Sequence, residues 1–207
     1  MTLPVVDPAT DRTHDSTVAG VLLAAGTSSR YGESNKLLEP VDGEPMVRRS
    51  ARTLLAADLD SVTAVLGHDA DRVRDALAGL DVGFVENPDY ETGQASSVRH
   101  AVGRLRTGGG RVDAAVFALA DMPYVDPGSV DALAATFEAT GRSALAAGHD
   151  GQRGNPVVFA AAHFDALADA SGDTGGRRVL LGSEDAAVVE TGDSGVRRDV
   201  DRPADLD

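Results

Sequence analysis

The 207-residue sequence has no cysteine and no tryptophan, and a single lysine, Lys36, stands among its 19 basic residues. Without thiols there is no disulfide, thiolate metal site or cysteine nucleophile. Aromatic residues make up 4% of the chain, so a core has to be assembled from Ala, Val and Leu. No apolar run approaches the ~20 residues that cross a bilayer. The opening segment, MTLPVVDPATDRTHDST, has neither the basic region nor the apolar stretch of a secretory signal. Positive charge is scarce too. A formal net charge of −14 argues against nucleic acids and anionic membranes as partners, because both would be repelled. Together these absences predict a cytoplasmic protein. The excess of acids suits a halophilic habitat, where repulsion is screened beyond about 3 Å at 1 M salt.

What is present is ordinary apolar content, 42%, in alternating strand-like and helix-like segments. Residues 1 to about 17 carry the breaks Leu3-Pro4 and Asp7-Pro8 and no periodicity, and are expected as a flexible tail. Residues 18–207 are expected as a single domain, since this length builds one sizeable core but would cramp two. TVAGVLLA (17–24) is a short continuous apolar run and predicts a strand buried on both faces. Further strands are expected at 61–67, 82–87, 114–121, 143–150, 155–160 and 186–191. Helices are expected at 45–58, 70–79, 95–106, 127–140, 161–170 and 174–182. This alternation predicts an α/β fold of three layers, with a mostly parallel, doubly wound, Rossmann-like sheet between helices.

In such a sheet ligands bind beyond the carboxyl ends of the strands. That rule selects Gly26–Lys36, Gly67-His68, Asn87–Gly93 and Asp121-Met122-Pro123. The first stretch, GVLLAAGTSSRYGESNK (20–36), contains neither G-x-x-x-x-G-K-[ST] nor G-x-G-x-x-G. It nevertheless has the parts of a phosphate loop. Gly26 lets backbone N–H groups approach a ligand, and Thr27, Ser28 and Ser29 add short donors. Arg30 can grip a phosphate through two parallel bonds, while Lys36 acts as a compact point charge. On spacing alone, a Gly/Ser turn with two solvated cations fits equally well. His68 reads as a structural or solvent-facing residue, and His14, His149 and His163 have no metal-ligand spacing.

Several segments share one resemblance. LAAGTSSRYGESNK (23–36) resembles the signature of the MobA-like nucleotidyltransferases, and LLEPVDGEPMV (37–47) the segment that follows it. NPDYETGQASSVRHAV (87–102) is similar to the family's N-P…G…S-S segment, with His100-Ala101 in place of its glycine. FALADMPYV (117–125) resembles the strand-then-D-x-P motif, and GQRGNPVVF (151–159) the G-x-R-G-x-P-V-x-F motif, with Asn155 where the family often has His. SGDTGGRRVLL (171–181) and DVDRPADL (199–206) resemble its G-D-x-G-x-R turn and its closing segment. Ala25, together with the G-x-R-G-x-P and G-D-x-G-x-R segments, is most similar to the molybdenum cofactor cytidylyltransferase branch.

The resemblance implies a nucleotide-diphospho-sugar transferase-like fold and Mg²⁺-dependent transfer of a nucleotide onto a phosphorylated acceptor, with pyrophosphate released. A phosphomonoester acceptor, with a second pKa of about 6, is already ionised at neutral pH and needs little help from a base. The reaction needs anion repulsion suppressed and the leaving group stabilised. By resemblance, Leu23, Ala24, Ala25, Gly26 and Thr27 hold the nucleotide, Arg30 and Lys36 supply positive charge, and Asp121 binds Mg²⁺. Asp199 and Asp201 are either a second metal carboxylate or solvated acids of an acidic tail. Gly93, Ser96 and Ser97 lie near base or ribose, and the serines also suit a helix cap. Gly154, Asn155 and Pro156 line the acceptor side, with Asp173, Gly175 and Arg177 nearby. The favoured substrates are CTP and molybdopterin-bound molybdenum, with a molybdenum hydroxylase as recipient of the product. The alternatives are guanylyl transfer, another phosphorylated acceptor, or a nucleotide-binding oxidoreductase or assembly factor.

Overall fold

The uninterrupted apolar run at Val18–Ala24 lies in the interior of a sheet, where both faces need cover. A computed structural model describes residues 3–27, 35–202 and 205. Among these, the strands are β1 (Val5–Val6), β2 (Val18–Ala24), β3 (Pro40–Val41), β4 (Glu44–Pro45), β5 (Ser61–Leu66), β6 (Gly83–Glu86), β7 (Ala114–Leu119), β8 (Ala144–His149), β9 (Gln152–Ala160) and β10 (Ala187–Glu190). The helices are α1 (Met46–Ala56), α2 (Ala70–Ala76), α3 (Gln94–Thr107), α4 (Pro127–Thr140), α5 (Phe164–Ala168) and α6 (Arg177–Gly182).

Alternation along β2 builds three layers. Val18, Leu22 and Ala24 face one cluster with Met46 and Leu54 of α1, Val73 of α2 and Leu133 of α4. Ala19 and Val21 face the other, with Val98 and Leu105 of α3, Leu167 of α5 and Leu180 of α6. Local chemistry sets the helix ends. α4 starts on Asp126, whose carboxylate accepts from the Gly128 N–H, with Pro127 in the first turn, and it stops at Gly141 in the left-handed conformation. Pro45 sits one position earlier than expected, as the residue before α1 rather than inside it.

The eight-stranded sheet runs β1-β10-β8-β9-β7-β2-β5-β6. Every neighbouring pair is parallel except those of β9, which is antiparallel to both β7 and β8. From β2 the chain moves outward through β5 and β6, then returns to place β7 on the other side of β2. The carboxyl ends of β2 and β7 therefore lie side by side, with Leu23 opposite Leu119, at the point where the strand order reverses.

Two hairpins were not among the sequence expectations. β8 and β9 join through Asp150-Gly151, and β3 and β4 through Asp42-Gly43. All four residues have positive φ, at 52° and 70° and at 52° and 83° respectively, as the tight turn between right-twisted strands requires. The expectation of a flexible tail also gives way. Val5 and Val6 form an edge strand against β10, and the Ala9 N–H donates to the Thr136 hydroxyl. Arg12 pairs with Glu138 at 2.9 Å and donates to the Ser16 carbonyl at 2.7 Å. Burial opposes the charge on Glu138, but the Arg12 guanidinium and the Thr13 N–H outweigh it and hold the carboxyl below its ordinary value. Proline breaks and missing periodicity gave no hint of these partners, which come from the far ends of the chain. The helix expected at 161–170 is a single 3-10 turn followed by the short α5.

Candidate functional site

Beyond the ends of β2 and β7 the chain leaves a cavity of about 420 Å³. Its walls are Leu23, Ala25, Gly26 and Thr27 after β2, Lys36 and Leu37 from the following turn, Leu119 and Asp121 after β7, and Tyr90, Glu91, Gly93, Gln94 and Ser97 at the start of α3. The side chain of Asp173 closes one side.

Lys36 opens a 3-10 turn anchored by buried Leu37 and capped by Asn35, whose side-chain oxygen accepts from the Leu37 N–H at 3.1 Å. Its Nζ lies 2.7 Å from Asp121 Oδ2, 3.1 Å from Asp201 Oδ1 and 3.1 Å from the Val200 carbonyl oxygen. Burial disfavours the ammonium, but Asp121 and Asp201 overcome that and raise its pKa. Asp121 lies two residues beyond the end of β7, and its carbonyl accepts from the Val200 N–H at 2.9 Å. That backbone bond brings the C-terminal segment over the cavity and presents Asp201, whose own N–H is held by Asp205. Three oxygens, two of them carboxylate, thus converge on one cation. Such a donor set suits a hard divalent ion, which takes one or two carboxylates and completes its shell with substrate phosphate and water.

A second cavity, about 250 Å³, adjoins the first and shares Leu23, Gln94, Leu119 and Asp173 with it. Val98, Phe117, Val157, Phe159, Leu167 and Leu180 make most of its lining, while Arg153, Asn155 and Arg177 supply polarity. No hydrogen bond or ion pair joins either arginine to another described side chain. Burial and, after it, the charge of Arg177 push the Arg153 pKa down. Two guanidinium groups in a half-apolar cavity can hold an anionic group, although the Asp173 carboxylate borders the same space.

The strand directions explain why these residues meet. Because β9 runs against β7, its first residues reach the edge where β2 and β7 end; Phe117, near the end of β7, lies opposite Val157. In a parallel β9, Arg153 and Asn155 would sit at the opposite edge of the sheet.

Eleven of the residues named from sequence line the two cavities: Leu23, Ala25, Gly26, Thr27, Lys36, Gly93, Ser97, Asp121, Asn155, Asp173 and Arg177. Others stand behind them. Ala24 faces the core, and the buried Ser96 hydroxyl donates to the Gly93 carbonyl. Gly154 packs so closely on the 194–197 turn that an added Cβ would lie 2.0 Å from the Val196 oxygen. Pro156 borders a small void with Ser50 and Met122 rather than either cavity. Gly175 backs onto the Gln94 side chain. Gly93 is where the wall is tightest: its φ is +104°, and a Cβ there would meet Asp173 Oδ1 at 2.6 Å. Asp199 is exposed while Asp201 turns to Lys36. Arg30, with Ser28 and Ser29, lies outside the described residues. Sequence reasoning missed Arg153, Gln94 and Tyr90. Arg153 is the arginine of the G-Q-R-G-N-P stretch, and its place in the G-x-R-G-x-P motif was the available signal. Among the described residues no helix is long and apolar enough to cross a membrane.

Comparison with known proteins gives concordant results. Residues 20–188 match the model of a family described as the MobA-like NTP transferase domain. Nicotine blue oxidoreductase of Paenarthrobacter nicotinovorans is 30% identical over 192 residues, which cover 89% of this chain and 92% of that protein. A probable molybdenum cofactor guanylyltransferase of Natronomonas pharaonis is 35% identical over 108 residues, 52% of this chain and 51% of that protein. The bifunctional protein GlmU of Allorhizobium ampelinum is 37% identical over 139 residues, 65% of this chain, but the chain spans only 28% of its length. Among solved structures, Rv0371c of Mycobacterium tuberculosis H37Rv has a TM-score of 0.76 at 28% identity, with 92% of this chain and 96% of that one covered. The structure of Rv0371c in complex with manganese gives a TM-score of 0.74 at 26% identity, over 92% of this chain and 96% of that one. The mixed sheet flanked by helices is thus the nucleotide-diphospho-sugar transferase fold expected from the sequence.

Proposed function

Because the chain belongs to the MobA-like NTP transferase family, we propose that it is a magnesium-dependent cytidylyltransferase that moves CMP from CTP to the terminal phosphate of molybdopterin-bound molybdenum. The observation that carries this reading is the seating of Lys36 between Asp121 and Asp201 at the mouth of the 420 Å³ cavity. The backbone of Gly26 and Thr27 borders the same space and offers N–H donors to phosphate. Asp121 and Asp201 would hold the divalent ion, which supplies charge neutralisation for the triphosphate. As the nucleotide enters, Lys36 leaves the two carboxylates and turns to phosphate, and Arg30 adds a second cation.

An oxygen of the ionised acceptor phosphate then attacks the α-phosphorus. The bond from that phosphorus to the bridging oxygen breaks, and pyrophosphate departs with the bond pair. No proton has to be removed from the nucleophile, so the site needs positioning and positive charge rather than a general base. The arginine cavity next door fits the acceptor side: Arg153 and Arg177 would neutralise its anionic group, and Phe117 and Phe159 would pack on its ring system. Ala25 and the two downstream segments favour cytidylyl over guanylyl transfer.

The near full-length likeness to nicotine blue oxidoreductase supports a second reading, an oxidoreductase whose substrate is held in the apolar cavity. One assay separates the two. The protein is incubated with Mg²⁺ and each nucleoside triphosphate in turn, with and without molybdenum cofactor, and pyrophosphate is measured. Release with CTP that requires the cofactor supports the main reading, and release with GTP alone reassigns the base. Hydride transfer from a nicotinamide without pyrophosphate would replace it.

A further inference from the structure

Asn87 never reaches the cavity, yet it determines what one cavity residue can say to a ligand. It is 1% exposed. Its side-chain orientation is fixed because Oδ1 accepts from the Asp89 N–H at 3.0 Å; the flipped amide would set donor against donor. Nδ2 must therefore donate both its protons, one to Ser96 Oγ at 2.8 Å and one to Ser97 Oγ at 3.0 Å. Ser96 passes its own proton to the Gly93 carbonyl at 2.8 Å. That carbonyl also accepts from the Ser96 N–H at 3.1 Å, so both its lone pairs are used. It is the acceptor one turn back that a helical Ser97 would ordinarily take. Ser97 Oγ is thus an obligate acceptor toward Asn87, and its proton has no acceptor among the described residues. Ser97 is one of the residues that line the larger cavity.

We propose that Asn87 is a positioning residue that commits the Ser97 hydroxyl to donate, so that this wall of the cavity gives a hydrogen bond to a carbonyl oxygen or an unprotonated ring nitrogen of the bound nucleotide base. The inference rests on the nucleotide-binding reading above and adds a polarity to it. Asn87→Asp tests it because the carboxylate is nearly the same shape but can only accept. Both serine protons then turn inward, and Ser97 offers the ligand a lone pair.

The measurement is the Kd for CTP by calorimetry, for wild type, Asn87→Asp, Asn87→Ala, Ser97→Ala and the Asn87→Asp/Ser97→Ala double variant. Asn87→Asp should weaken binding about tenfold, the usual scale of one reversed hydrogen bond, and more than Asn87→Ala does. In the Ser97→Ala background it should add nothing. A merely structural Asn87 predicts the opposite order, with the cavity-forming Asn87→Ala the worse variant, and an equal loss with or without Ser97. Either result overturns the proposal, as does an unchanged Kd in Asn87→Asp. Should Asn87→Asp not fold, the Asn87→Ala/Ser97→Ala cycle reads the same coupling: additive losses overturn the proposal, and a shared loss sustains it. Wild-type protein that binds none of the four nucleoside triphosphates would instead remove the nucleotide reading itself.

Discussion

The two cavities are neighbours with opposite electrostatics. In the larger, the one lysine is matched by two carboxylates and a carbonyl. In the smaller, Arg153 and Arg177 share an otherwise largely apolar wall with one carboxylate, that of Asp173, which also borders the larger cavity. The first carries more negative than positive charge, with Glu91 and Asp173 also on its wall, and suits a polyphosphate that brings its own cation, as a metal–triphosphate does. The second has two arginines against the single carboxylate of Asp173, an excess of positive charge that suits an anion. A transferase with two anionic substrates needs this division, because equal positive charge in both halves would let either substrate occupy either place.

The sharpest break in the comparison is Asp121→Asn. It removes one of the two carboxylates that converge on Lys36, at almost unchanged shape. Pyrophosphate release should fall by about 10³-fold while circular dichroism keeps the native melt. Unchanged turnover would remove Asp121 from the metal site. Asp201→Asn should follow in the same direction with a smaller loss, and the exposed Asp199→Asn should match wild type.

Next in size is Lys36→Arg, expected to cost about 10²-fold in kcat although charge is conserved. A planar guanidinium cannot occupy the point where the three oxygens converge at 2.7–3.1 Å. A fully active variant would mean that any cation serves there. Against it stands Arg153→Ala, which should raise the acceptor KM about tenfold and leave the CTP Kd alone. If CTP binding fell instead, the division of labour between the cavities would be wrong.

How much of this could be read from the chain alone differs between the same two places. The larger cavity was legible because its parts are local. The run at Val18–Ala24 announces a buried strand, Gly26 ends it, and Asp121 ends another, so the sheet rule alone brings both loops to one edge. The smaller cavity was not, because it depends on the direction of one strand. NPVVFA reads the same in either sense, and only the Asp150-Gly151 turn before it fixes β9 as antiparallel. Without that reversal, Arg153 appears as one more surface arginine. The Asn87 network was hidden for a similar reason. Two serines at a helix start look like caps, and their polarity is decided by a buried amide seven residues before the helix begins. The N-terminal strand β1 gave no signal at all, since its two valines find partners only in β10.

The smallest effect is one of sign, and it tests the electrostatic contrast without any substrate. Replacing Lys36 by Met removes the ammonium that Asp121 and Asp201 share, so the protein should lose stability, by about 1–3 kcal/mol for a half-buried pair. Replacing Arg153 by Met should do the reverse. It deletes a cation that burial and Arg177 both disfavour and puts a flexible apolar side chain against Phe117 and Phe159, a gain of about 1 kcal/mol. For a chain of this length 1 kcal/mol is about 2–4 °C in Tm, so thermal melts in low salt should move down for Lys36→Met and up for Arg153→Met. High salt should shrink both shifts through screening. Shifts of the same sign would mean that the charges in the two cavities are not differently compensated. Stabilisation by Arg153→Met, joined to loss of acceptor binding, would show that the arginine is retained against the stability of the empty protein.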